Sequence, residues 1–516
     1  MSEGRLDPVT LSVLASALVG IAEETGAVLI RGAYSSNIKE RRDCSAGLFD
    51  EHGRMVAQAE HIPVHLGAMP EAVEAVMKKD PEAGDIFAIN DPYSGGTHLP
   101  DITLVSPIAH EGEIVGYAVT RAHHSDVGGM RPGSMPSDSR EIYQEGIVIP
   151  PVRLVRKGEY VEDVLGLLLA NVRTPDLRRG DLRAQIAANN IAEQRINELI
   201  ESRGKDTVLT AFDEVISYTE RRTREAIREL PDGEYSAEDH MEGDGVTDED
   251  VKIQATVTIE DDSMTIDFDG TSDAVEGNVN CPLPVTRSAC YFALRVLLPG
   301  DIPANAGTYA PLEIKAPEGS LVNATSPSAV VAGNVETSNR IADTVLAAFF
   351  DFAPDVLPAQ GQGTMNNVTI GGGGWTYYET VGGGQGASED GPGPSGVHVG
   401  MTNTLNTPIE AFEMEYPMRV ERYELLYESG GTGEHRGGDG VVRSVRVLEP
   451  ASLSLLTDRR RHAPQGASGG DPGAVGENLL NDEELPPKVS RELGEGDVVT
   501  VKTPGGGGYG RKSQSA

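Results

Sequence analysis

Twenty-three residues, ITLVSPIAHEGEIVGYAVTRAHH, constrain the fold of this chain more tightly than any other stretch. Two β-rich runs, 102–109 and 113–120, flank the turn residues His110, Glu111 and Gly112, which predicts an antiparallel hairpin. If the turn centres on Glu111, residues whose numbers sum to about 222 face one another, with Cα atoms about 4.5–5.5 Å apart. That register sets Asp101 opposite Arg121, and His98 and Leu99 opposite residues 122–124. The open end of the ribbon therefore gathers His98, Asp101 and one of His123 or His124. Side chains alternate along a strand, so only one of the adjacent histidines points at that spot.

Two imidazoles and a carboxylate suit zinc, manganese or iron, with coordination positions left for substrate. A fourth ligand is sought in the charged loop NIKERRDCS, at Glu40 or Asp43. His61 and His65, in HIPVHLG, are candidates for proton transfer or for orienting a ligand. A lone histidine is usually a satisfied structural one, and HxxD recurs by chance. Here five of the eleven histidines (61, 65, 98, 123, 124) fall within 64 residues, in segments predicted to meet, and that clustering favours a metal site.

Elsewhere the periodicities predict α+β architecture: several domains, mixed and mainly antiparallel sheets, and a central group of amphipathic helices. Asp7-Pro8 followed by Leu11, Leu14, Leu18 and Ile21 opens a helix running to about residue 30. CSAGLFDEHGRMVAQA reads as a hairpin, Pro70 opens a second helix, and IFAIN is a short buried strand. The span 161–229 is helical, VKIQATVTI and MTIDFDG form another hairpin, and two further helices lie near 286–298 and 337–352. The expected division is a metal-site domain (1–205), a middle region of helix and hairpin (206–310), and a β-rich, glycine-loop domain (311–516). The glycine runs at 371–374, 382–386 and 505–510 lack the lysine and hydroxyl residue of a P-loop. They read as flexible or turn-forming loops, so ATP is not expected on this chain. No GxSxG elbow is present.

Composition narrows the setting. A net charge of −37 disfavours binding to a phosphate backbone. Lysine is scarce, 10 against 33 arginines, and the acids spread along the whole chain, the pattern of a surface adapted to concentrated salt. Cys44, Cys281 and Cys290 are too few and scattered for a disulfide framework or a thiolate metal site. With no signal pattern in MSEGRLDPVT and no window read as a membrane span, a cytoplasmic, halophilic setting is expected.

The stretches NIKERRDCSAGLFD, HIPVHLGAM, NDPYSGGTHLPDITL, RAHHSDVGG, GSMPSDS, GDLRAQIAA, TNTLNTPIE and RGGDGVVR resemble the signature blocks of the hydantoinase B/oxoprolinase family. The likeness runs from about residue 6 to 510. The family includes the B subunit of ATP-dependent N-methylhydantoinase, the C-terminal half of 5-oxoprolinase, a caprolactamase subunit and the α subunit of acetone carboxylase. The resemblance implies a B-type component acting with an actin-like, hydantoinase A-type ATPase that holds ATP and Mg²⁺ and phosphorylates a lactam carbonyl. This chain would then open the ring with metal-activated water. By the same analogy the ligands are Glu40, His98, Asp101 and His123. Zinc or manganese is the expected ion; His124, before His61 or His65, is expected to relay protons, and Asp126 to cap the HHSD turn or support a ligand. Two alternatives are an acetone-carboxylase-like carboxylation at the same metal and a non-catalytic scaffold for the ATPase.

Overall fold

The computed structural model describes residues 6–60 and 62–512, so His61 lies outside the described residues. Helix α1 (Pro8–Gly32) starts where predicted, with the Asp7 carboxylate accepting from the N–H groups of Val9 and Thr10. A short helix α2 (Ser36–Lys39) leads into β1 (Cys44–Asp50) and β2 (Met55–Glu60), the first expected hairpin. Then come α3 (Met69–Met77), β3 (Ile86–Ile89), β4 (Asp101–His110), β5 (Glu113–His123), β6 (Val152–Arg156) and β7 (Glu159–Tyr160). These strands make one open sheet in the order β2-β1-β5-β4-β3-β6-β7, antiparallel throughout.

Both faces of this sheet are buried, so its strands carry apolar residues at odd and even positions alike. The predicted helical span resolves into α4 (Glu162–Ala170), α5 (Pro175–Arg203) and α6 (Lys205–Arg228). Leu48, Val56 and Ala118 pack with Leu18 and Ile21 of α1, Ala192 and Ile196 of α5, and Phe212 of α6. On the opposite face Phe49, Val105, Tyr117 and Val119 join Met69 and Val73 of α3 in the largest core cluster. That cluster continues into a second sheet, in the order β11-β10-β9-β8, formed by β8 (Gly233–Glu242), β9 (Asp250–Glu260), β10 (Ser263–Asp267) and β11 (Leu312–Lys315). The helices Leu283–Leu297 and Ser338–Phe350 pack into the same cluster. Beyond residue 360 a four-stranded and a five-stranded sheet enclose a separate core built on Ile370, Tyr377, Val445, Leu453 and Val501. The architecture is α+β with mainly antiparallel open sheets.

Two expectations need correction. Helix α1 is long and apolar enough to cross a membrane by length and composition, contrary to the reading that no window is. In the fold it buries Leu14, Leu18, Ile21, Ala22 and Leu29. Strand β8, GEYSAEDHME, was not anticipated because an edge strand with one face in solvent need carry few apolar residues; the backbone ladder to β9 holds it.

The glycine runs divide. Gly371–Gly374 lies at the turn joining strands Asn367–Gly372 and Trp375–Glu379, as expected. The runs at 382–386 and 505–510 are packed backbone against backbone rather than loose. Gly506 N–H donates to Gly438 O (2.9 Å), Gly438 N–H to Gln385 O (2.8 Å), and Ala387 N–H to Gly507 O (2.9 Å). A Cβ on Gly384 would stand 2.0 Å from Gly438 O and 2.2 Å from Gly506 N, so only glycine fits. Gly384→Ala is therefore expected to lower stability by about 2 kcal/mol or more. Gly373→Ala, whose Cβ meets nothing within 4 Å, should stay within about 0.5 kcal/mol. Urea unfolding of the two variants checks the contrast.

Candidate metal centre

The β4–β5 turn uses two residues, Glu111 and Gly112, both with positive φ (50° and 86°), as a tight hairpin requires. A bulge between Ile108 and Ala109 then adds one residue to the offset. Together they move the ladder two residues beyond the predicted register: Asp101 faces His123, and Arg121 faces Thr103. The alternation of the sheet therefore turns Asp101, Thr103, Arg121 and His123 toward α3, and His124 toward α5.

His98 reaches the same spot from the loop before β4. Asn90 pins this loop, its Oδ1 accepting from Ile149 N–H (2.6 Å) and its Nδ2 donating to Leu99 O (2.7 Å) and Ile147 O (3.0 Å). Gly95, at φ 103°, lets the chain pass α3, where a Cβ would stand 2.5 Å from Ala72 N.

The result is a triangle of donor atoms. His98 Nε2 lies 3.2 Å from Asp101 Oδ1, His123 Nδ1 lies 3.2 Å from the same oxygen, and the two ring nitrogens are 3.2 Å apart. All three residues are buried. Donors about 2.0–2.2 Å from one divalent ion stand about 2.8–3.6 Å from one another between octahedral and tetrahedral angles, so these edges fit. Apart from the 3.2 Å hydrogen bond between the two rings, the surroundings leave the inner atoms free. Asp101 Oδ2 accepts from Thr97 Oγ1 (2.5 Å) and Asn334 Nδ2 (3.4 Å), with His65 Nε2 at 3.5 Å, while Oδ1 has no hydrogen-bond partner. His98 Nδ1 donates to Val331 O (3.3 Å), which puts the lone pair of Nε2 on the triangle side. His123 stacks on Tyr378, centroids 4.6 Å apart at 11°, and its carbonyl accepts from Asn37 Nδ2. Burial would raise the Asp101 carboxyl, but His98, His123 and His65 around it hold it well below the ordinary carboxylate range. Burial likewise disfavours the His98 cation, and the Asp101 charge outweighs it and raises that ring. These three residues have the capacity to hold a divalent ion.

The other candidates occupy different places. Glu40, half-buried, caps the C-terminus of α2 and is not part of the triangle. Asp43 is closer: it lines a small cavity with Asp101, His123, His65 and Tyr378, and its carbonyl accepts from His123 N–H (3.0 Å). His65 is held by Ser45 Oγ at 2.9 Å. His124 Nε2 meets Gln185 Oε1 of α5 at 2.9 Å, so its ring is turned away from the triangle. Asp126 accepts from Gly128 and Gly133 N–H and pairs with Arg173 at 3.0 Å, closing the loop after β5.

Thr97, Tyr378 and Asn334 were not foreseen. Thr97 precedes His98 in the chain, so adjacency was the one sequence signal that pointed to it. Asn334 sits in a π turn, Gly333–Thr337, and Tyr378 on a distant strand; neither carries a local signal.

The pattern describing the Hydantoinase B/oxoprolinase family matches residues 7–512. The chain belongs to this family. It is 35% identical to the B-type component of a putative D-/L-hydantoinase from a Pseudomonas species, over 98% of this chain and 90% of that protein. It is 40% identical to 5-oxoprolinase 1 of Arabidopsis thaliana over 99% of this chain, which spans only 42% of that longer protein. Among solved structures, the ATP-dependent caprolactamase of Pseudomonas jessenii superposes with a TM-score of 0.92 at 30% identity, covering 98% of this chain and 91% of the other. An acetone carboxylase in its nucleotide-free form shares the fold at a TM-score of 0.88 and 18% identity, covering 98% and 76%.

Burial, with Arg178 adding to it, pulls the His124 ring down to about 4. Below its ordinary value of 6.5 the unfolded chain takes up a proton that the folded chain refuses, so stability falls with acid across that window. The expected loss is about 2 kcal/mol between pH 7.5 and pH 5. In His124→Gln that part of the slope should vanish, as read from urea midpoints at the two pH values.

Proposed function

We propose that this chain is the B-type component of an ATP-dependent cyclic-amide hydrolase of N-methylhydantoin or 5-oxoproline type. A partner ATPase of the hydantoinase A type phosphorylates the lactam oxygen, and this chain completes ring opening. The observation that carries the reading is the buried triangle of His98, Asp101 and His123, opening on a cavity in a chain of this family. The names of the hydantoinase component, the oxoprolinase and the caprolactamase support the reaction class.

A divalent ion, zinc or manganese, would supply Lewis-acid activation of water at that triangle. The chain's own residues do the rest. Asp101 stays ionised because imidazoles surround it, and Thr97, Asn334 and His65 occupy its outer oxygen, which aims the inner one. The Val331 carbonyl selects the tautomer of His98. His65 lines the cavity and lies 3.5 Å from Asp101 Oδ2, placing an imidazole where a proton is to be held. Asp43, which lines the same cavity, is the carboxylate we favour over Glu40 as a fourth ligand. An amide carbon whose oxygen bears phosphate is electrophilic: water adds there, and the C–N bond breaks as a proton passes to the departing nitrogen. A second water takes the phosphate off the acyl phosphate that remains, leaving a carboxylate, an amine and inorganic phosphate.

Metal analysis of the purified chain is expected to find one divalent ion, lost in His98→Ala, Asp101→Asn and His123→Ala. Reconstituted with the partner ATPase, the wild-type pair should turn over ATP in response to hydantoins, 5-oxoproline or lactams. Product formation should fall at least about 100-fold in each variant. ATP turnover that answers only to acetone with bicarbonate would replace the hydrolase reading with carboxylation. A chain that never holds a divalent ion would leave a scaffold.

A further inference from the structure

Arg41 comes from the same charged loop as Glu40 and Asp43, and the metal centre makes no use of it. Its side chain is fully buried. Most buried arginines of this chain have a carboxylate: Arg178 has Asp181, Arg340 has Asp239 and Asp458, Arg443 has Glu379, and Arg459 has Asp343. Arg121 also lacks a carboxylate at ion-pair distance among the described residues and has an unpartnered Nη1, but Thr103 Oγ1 and the carbonyl of Gly95 hold its Nε and Nη2. Arg41 has no carboxylate within ion-pair distance among the described residues. Its Nη2 donates only to Thr380 Oγ1 (2.8 Å) and Thr404 Oγ1 (3.0 Å), while Nε and Nη1 have no partner. A guanidinium cannot shed its charge, and a buried one without a counter-ion is costly.

The two threonines that hold Arg41 show where the missing charge belongs. Thr380, Thr402 and Thr404 line the same small cavity as Asp43, Asp101 and His123. Thr380 and Thr404 meet at 2.7 Å, and His398 bridges Thr404 (3.3 Å) and Thr402 (3.4 Å), so the hydroxyls form one wall. The carboxylates of Asp43 and Asp101 match a divalent ion in formal charge. Arg41 is then left in excess beside them, and an anion arriving between wall and triangle is compensated from both sides. Hydroxyls reaching in from two separate segments, together with a guanidinium, suit an anion with acceptors in three dimensions better than a planar one.

We propose that the hydroxyls of Thr380, Thr402 and Thr404, backed by the Arg41 guanidinium, form a binding site for a tetrahedral phosphorus oxyanion. The occupant is the phosphoryl group of an activated substrate or the inorganic phosphate it becomes. The choice of a phosphorus anion rests on the function proposed above; the need for an anion rests on Arg41 itself.

The test is calorimetric titration of the full chain, metal-loaded and metal-free, with inorganic phosphate and separately with methyl phosphate. Saturable binding of at least one is expected, weakened at least about tenfold in Arg41→Met, with metal content unchanged. Thr404→Val gives a second reading should Arg41→Met fail to fold, and it too should weaken binding. Preference for methyl phosphate assigns the site to the substrate-borne group, and preference for phosphate to the released product; both support it. Absence of saturable binding, or equal binding by wild type and variants, overturns it. So does Arg41-dependent binding of acetate or 5-oxoprolinate without phosphate, which would make this a carboxylate site. If no divalent ion binds but phosphate binding depends on Arg41, the metal-based function fails and the anion site stands.

Discussion

A carboxylate taken out of water must be compensated, and the arrangement around Asp101 answers that requirement. One oxygen is met by Thr97, Asn334 and His65; the other faces only the nitrogens of His98 and His123. These groups come from the loop before β4, the end of β5, the segment after β2 and a π turn far along the chain. Satisfying one buried charge thus ties the first sheet to the helical layer that follows the second. The pairing of β4 with β5 decides whether this happens, because a slip of one residue would send His123 to the α5 face.

Much of this was legible in the sequence. The hairpin, the helix beginning at Pro8 and the convergence of His98, Asp101 and a following histidine come from periodicity and turn chemistry, which act locally. The exact partner of Asp101 was not legible, since a two-residue turn and one bulge each displace the ladder and a bulge leaves little trace in composition. Alternation did show that only one of His123 and His124 reaches the spot; their opposite faces follow from the register of β5. Asn334, Tyr378 and Arg41 escaped because their importance depends on tertiary neighbours. The packed glycines of 382–386 and 505–510 were misread for the same reason. A glycine needed for close backbone approach and one needed for a turn look alike until the approaching strand is known.

The family relationship and the site geometry support different parts of the account. Similarity across nearly the whole chain places it with hydantoinase components, oxoprolinases and caprolactamase. The likeness to acetone carboxylase, at 18% identity, speaks for the fold alone. What the chain can do with a substrate depends on the cavity where two walls meet, one of imidazole and carboxylate, the other of hydroxyls backed by Arg41. The proposed cation site facing the proposed anion site would suit a phosphorylated, ring-opening substrate.

The central claim is that one cation sits among three named atoms. Crystals of the chain grown with Mn²⁺ and measured above and below the manganese absorption edge test it most directly. The account predicts a single dominant anomalous peak between His98 Nε2, Asp101 Oδ1 and His123 Nδ1. A fully ordered structure with the peak elsewhere, or with these three atoms hydrogen-bonded to one another and no peak, would contradict it.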